Sequence, residues 1–141
     1  MTFKYLDHGA DIGLEIESDD LEGLFSEAGR SIFSLMVDIE EIQGEENLEL
    51  DLIEHNLEDL LYEWLSELLS LSNLRGQVYG RFPRLTITET NSDYRLKAVA
   101  EGENIDPRRH ELGTEVKAVT YQGLEINEIE DGWRCRFVVD V

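Results

Sequence analysis

Two short segments near opposite ends of the 141-residue chain carry oxygen donors suited to a cation: His8-Gly9-Ala10-Asp11, and Asp140-Val141. If the last strand lies beside the first, the side chains of Asp11 and Asp140 and the α-carboxylate of Val141 converge in one small volume. Like charges that close raise one another's pKa, whereas a hard divalent cation lets all three stay ionised. The chemistry expected of such a set is a small metal site made of oxygen ligands. On the residues alone, Asp140 and Val141 read at least as well as a frayed terminus.

Positioning these groups falls to elements that the hydrophobic pattern marks out. Leu21, Leu24, Phe25, Ala28, Ile32, Leu35 and Met36 recur at helical spacing after Asp19, with Glu22 three residues on as in a capping box. Leu57, Leu60, Leu61, Trp64, Leu65, Leu68, Leu69 and Leu71 draw a second helix, capped by Asn56 and ended by Gly76. The remaining segments predict strands over 3–6, 12–16, 48–53, 84–89, 94–100, 115–120 or somewhat beyond, 124–129 and 133–139. The last two are joined by a tight turn at Asp131-Gly132. In the final strand Trp133, Cys135, Phe137 and Val139 alternate with Arg134, Arg136, Val138 and Asp140, so the first set faces the helices and Asp140 does not. Early helices, late strands and short connections give an α+β fold: a two-layer α/β sandwich, its mostly antiparallel or mixed sheet covered on one face by two helices. Residues 1–141 form a single domain on this reading, since length leaves no room for a second.

Composition narrows the function classes. Twelve Lys and Arg against 32 Asp and Glu give a formal net charge of -20. Direct nucleic-acid binding is not expected, because affinity for phosphate backbones needs clustered cations; a basic protein partner fits better, and so does plain solubility. Cys135 is the single cysteine, which excludes an internal disulfide and a thiolate zinc site and reads as a small buried hydrophobe in a reducing cytoplasm. No segment has the ~20 apolar residues that span a bilayer, so no membrane association is expected. Neither a glycine-rich phosphate loop nor a nucleophile elbow is present.

One basic island breaks the acidic background. Asp106 can cap a short helical turn with Pro107 first, collecting Arg108, Arg109 and His110 before Gly113, and Lys117 lies on the strand that follows. Arg108, Arg109 and Lys117 together suit an anion or carboxylate; a solvated loop paired with nearby acids is the equal alternative.

Five stretches in order along the chain resemble the archease family: HGAD with Ile12-Gly13, LEGLFSEAG, YEWLSELL, RRHELGTEVKAVTYQGL and the closing VVDV. The resemblance implies a two-layer sandwich with a metal site whose ligands fall on Asp11, Asp140 and Val141. Calcium is the ion it implies, with magnesium or manganese as alternatives. It also implies a cytoplasmic protein that is no enzyme itself but activates the RtcB-type tRNA-splicing RNA ligase. There it promotes guanylylation and multiple turnover and widens the nucleoside triphosphates used. Gly9 stands where members commonly carry Thr or Ser, a loss of one hydroxyl and no carboxylate. Within that expectation Lys117 meets phosphate and Glu67, projecting from the second helix, is a further functional acid or else a solvated helix residue. His8 and His110 hold carboxylates from behind or are merely structural. The competing classes are a general chaperone or modulator of nucleic-acid-processing proteins, and a small metal-dependent hydrolase.

Overall fold

The chain's computed structural model describes residues 2–8 as backbone and 11–141 in full. Two strands open it, β1 (Thr2–His8) and β2 (Asp11–Ser18). The first helix, α1 (Leu21–Met36), follows. Its cap is Asp20 rather than Asp19: Asp20 is extended and its Oδ1 accepts from the Gly23 N–H at 2.7 Å. With two aspartates in a row, composition cannot choose between them; the carboxylate three residues before a helical N–H takes the role. A 3-10 turn at Ile39–Glu41 leads to β3 (Glu46–Glu54).

The second helix, α2 (Leu57–Arg75), begins and ends as its sequence predicts. Asn56 accepts from the Asp59 N–H at 2.8 Å, and Gly76 closes the helix in the left-handed conformation at φ 63°. Leu60, Leu61, Trp64, Leu65 and Leu68 are fully buried, and the Trp64 indole N–H donates to the Phe25 carbonyl of α1 at 2.8 Å. Each such side chain contributes about 1.5–3 kcal/mol by leaving water, so this stripe carries much of the core.

Four strands complete the chain after β4 (Gln77–Arg81): β5 (Thr86–Glu89), β6 (Tyr94–Asn104), β7 (Ala118–Ile129) and β8 (Gly132–Asp140). The two-helix α+β architecture is as expected, but the strands form two antiparallel sheets where the sequence suggested one. Sheet A has the order β1-β2-β8-β7; sheet B has β3-β6-β4, with β5 also pairing β6. Each helix packs against strands of both sheets. The inward faces follow the period-two rule: Leu14, Ile16, Cys135, Phe137 and Val139 from sheet A, Leu48, Leu50, Leu96, Ala98 and Ala100 from sheet B.

Three local departures have physical causes. β4 was not expected, because Gly80 and the nearby Pro83 interrupt its apolar run; Gly80 is there because Ile42 packs on it, only 3.1 Å from where a Cβ would sit. β7 is one strand rather than two, its register slipping between Thr120 and Glu125 around Gly123 at φ 66°. The turn into β8 is Glu130-Asp131, one residue early, with Asp131 at φ 66°; Gly132 is the first strand residue, where a Cβ would meet the Ser18 carbonyl oxygen at 2.3 Å.

Candidate functional site

Sheet topology answers the question posed by the two ends of the chain. β2 lies between β1 and β8, so its first residue and the last residue of β8 meet: Asp11 is the register partner of Asp140. Directly opposed residues of an antiparallel pair share a face with Cβ atoms about 4.5–5.5 Å apart. Alternation puts both carboxylates on the outer face, away from the helices, since Ile12 and Val139 beside them turn inward. On the far side Ala118 of β7 pairs with Asp140, and the Lys117 N–H donates to the Asp140 carbonyl at 2.8 Å. Val141 packs half-buried against the core beyond the end of β8.

Among the described residues, the arginines along this face are paired with acids. Arg134 meets Glu17 at 3.8 Å, and Arg136 meets Glu15 at 2.7 Å and Glu125 at 3.7 Å. Val138, 3% exposed, occupies the next row opposite Gly13. Beyond it come Asp11, half-buried, and Asp140, exposed, and neither has an ion-pair partner among the described residues. Two carboxylates at about 5 Å repel by about 3 kcal/mol at an effective dielectric constant near 20, which a cation would reverse. Both donors are hard oxygens, and the α-carboxylate that the sequence reading adds would be a third; that set fits calcium, magnesium or manganese and not a soft metal. Among the described residues no three His, Cys, Asp or Glu side chains form a metal cluster, so the fit depends on that third donor.

Other candidate residues fall elsewhere. The Asp106 segment makes a turn instead of a short helix: Asp106 O accepts from the Arg109 and His110 N–H groups, and the Gly113 and Thr114 N–H groups go to Met36 O and Leu35 O at the end of α1. Those bonds carry the chain across the helix terminus and end the turn. Arg109 does not join Lys117 in a basic patch. Its guanidinium pairs with Glu103 of β6 and donates to the Glu41 carbonyl at 2.9 Å. Arg108 is exposed, and its N–H donates to Asp106 Oδ1. Glu67 is half-buried on α2 with no hydrogen bond or ion pair to Asp11 or Asp140 among the described residues. The side chain of His8, and Gly9 altogether, lie outside the described residues; the register sets His8 opposite Asp11.

Sequence reading missed Glu103, around which the second polar cluster is built. His110 is 2% exposed. Its Nδ1 accepts from the Asp106 N–H at 2.9 Å, so the neutral ring carries its proton on Nε2, which faces Glu103 Oε1 at 3.2 Å. The Gln43 N–H donates to the same oxygen at 3.0 Å. The Arg109 guanidinium, with help from His110 and Gln43, holds the Glu103 carboxyl down at about 2 against burial, which acts to raise it. This cluster clamps the 106–110 turn and the loop before β3 onto β6. His110 does hold a carboxylate, but a structural one. Cys135 is fully buried with its thiol pKa pushed up by desolvation, an inert core residue as expected. No helix of the described residues is long and apolar enough to cross a membrane.

Comparison with known proteins finds relatives of this fold over nearly the whole chain. The model of the Archease protein family matches residues 3–141. Protein archease of Methanosarcina mazei is 38% identical over 139 residues, covering 99% of this chain and 95% of that protein. Protein archease of Thermococcus gammatolerans is 39% identical over 140 residues, covering 99% and 98%. Among solved structures, protein 1598 of Methanobacterium thermoautotrophicum superposes with a TM-score of 0.86 at 30% identity, covering 99% and 98% of the two chains. An archease of Thermotoga maritima, described as a possible chaperone, shares the fold at a TM-score of 0.62 and 24% identity. The chain therefore belongs to the archease family.

Proposed function

We propose that this protein activates an RtcB-type RNA ligase in the cytoplasm, using the end of sheet A where Asp11 and Asp140 stand side by side. The observation that supports this reading most is the register itself: two carboxylates from distant parts of the chain face each other with no cation beside them among the described residues. Asp11, Asp140 and the Val141 carboxylate would hold a divalent ion, calcium on the family resemblance. Bound there, the ion would supply a Lewis-acidic contact for phosphate oxygens. The protein's own groups set where that contact can be made. Val141, half-buried against the core, holds the end of β8, and the Lys117 N–H fixes the Asp140 backbone. The exposed Lys117 side chain is free to meet a phosphate group at the same edge. An acidic end of this kind suits the approach to a ligase's nucleotide pocket, where it would favour guanylylation of the ligase and repeated turnover.

The test is a multiple-turnover ligation assay with a cognate ligase, GTP and divalent metal. Substoichiometric protein should restore turnover, while Asp11→Ala and Asp140→Ala, each with unchanged circular dichroism, should lower stimulation at least tenfold. Equal stimulation by the variants removes the metal site from the reading, and no stimulation by the parent protein removes the ligase. The description of the Thermotoga relative favours one competitor, a chaperone. It would instead suppress aggregation of unrelated clients, with or without Asp11.

A further inference from the structure

The connection between β4 and β5 holds an arginine where a glycine would be at ease. Phe82 and Leu85, 6% and 9% exposed, bury both ends of a four-residue turn whose middle residues are Pro83 and Arg84. Proline followed by a residue of positive φ is the pattern of a type II turn, and Arg84 has φ 60°. A side chain in the left-handed region costs about 1–2 kcal/mol relative to its ordinary conformation, so the backbone gains nothing from arginine here. The turn is also rigid. The Phe82 ring lies edge-on to Trp64 at 5.1 Å and fills the space left by Gly29, where a Cβ would sit 2.8 Å from it.

Arg30, Arg81, Arg95, Arg109, Arg134 and Arg136 are ion-paired; Arg84, like Arg75 and Arg108, has no ion-pair partner among the described residues, and of these three only Arg84 lines a depression together with a second cation. It lines a depression of about 450 Å³ on the outer face of sheet B together with Glu49, Asp51 and Lys97. Asp51 is already taken by a two-pronged bond from Arg95 at 2.8 and 2.6 Å. With Asp51 assigned to Arg95, Glu49 is left against Arg84 and Lys97, the latter also attracted by Asp51 across the β3–β6 pair. A second depression, on the Glu101 side, and a third, toward Asp19, Asp20 and Glu22, also have Arg84 in their walls. One locally cationic spot thus sits inside an acidic surround.

We propose that the Phe82–Leu85 turn and the adjoining outer face of sheet B form a docking surface for a basic protein segment that presents one acidic side chain to Arg84 and Lys97. The acidic surround draws the segment's cations, and the spot between Arg84 and Lys97 sets its register through a single carboxylate. Arginine is among the residues enriched at the energetic centres of interfaces, and Arg84 stands unpaired on a turn anchored by Phe82, with depressions on its flanks. The inference is independent of the Asp11–Asp140 reading, which concerns sheet A.

Fluorescence anisotropy with two labelled peptides tests it: Lys-Gly-Lys-Glu-Lys-Gly-Lys, and the same peptide with Gln in place of Glu. General attraction to a chain of net charge -20 favours the Gln peptide, which is the more cationic; the proposed surface favours Glu. We expect the Glu peptide to bind at least threefold tighter, this order to reverse in Arg84→Gly and Arg84→Asn, and to persist in Asp11→Ala. Both Arg84 variants should unfold at the same or higher denaturant concentration than the parent. A parent that prefers the Gln peptide, binds neither, or keeps its Glu preference without Arg84 overturns the proposal.

Discussion

Glu103→Gln probes the clamp around β6 and has a magnitude that follows from the site. Glu103 is held at about 2 against an ordinary 4.5, mainly by Arg109. At about 1.36 kcal/mol per tenfold change, that interval amounts to about 3 kcal/mol of stability. Arg109 is partly open to water, its side chain 39% exposed, which screens the pair and lowers the expectation to about 2 kcal/mol. The sign is fixed by linkage. Because the folded-state value lies below the unfolded one, the contribution is complete above about pH 4.5 and disappears as pH falls toward 2. Urea unfolding of parent and variant should therefore differ by about 2 kcal/mol at pH 7, and the difference should shrink to a few tenths near pH 2.5. Measuring the difference between two proteins cancels the titration of the other carboxylates they share. A gap that stays constant over that range, or that is absent at pH 7, would refute the view that Glu103 acts as an ionised anchor.

Two core predictions rest on close approach and burial. Gly102→Ala should destabilise by more than 2 kcal/mol in the same urea assay, because its Cβ would fall 2.0 Å from the Val78 carbonyl oxygen across the β4–β6 pair. Cys135 should resist a thiol reagent in the native protein and react at once in 6 M guanidinium, since its sulfur is buried and its thiol form favoured; rapid native-state labelling would contradict its placement.

What the chain reveals before folding, and what it hides, depends on the range of the interaction. The α2 boundaries were readable because Asn56 and Gly76 act within a few residues of the helix they close. The Asp11–Asp140 pairing was readable as a conditional: alternation in β8 sets the face, but which strand lies beside it is a tertiary fact. Division into two sheets was hidden for the same reason, since an inward-facing pattern records burial and not the identity of the neighbour. Glu103 was invisible because its partners, Gln43, Arg109 and His110, arrive from two separate loops. By its pattern Arg84 belongs to the start of a strand; only its backbone conformation marks it.

Placing β8 between β2 and β7 has a consequence for how the molecule is made. Sheet B closes from segments within residues 46–104, whereas β2 must wait, one edge open, for a partner more than a hundred residues downstream. Pairing over such separation is slow, and an open strand edge invites mispairing until it is covered. The acidic residues on β2, Asp11, Glu15 and Glu17, guard that edge in the interval, and the arginines of β8 that later meet Glu15 and Glu17 turn the guard into a latch.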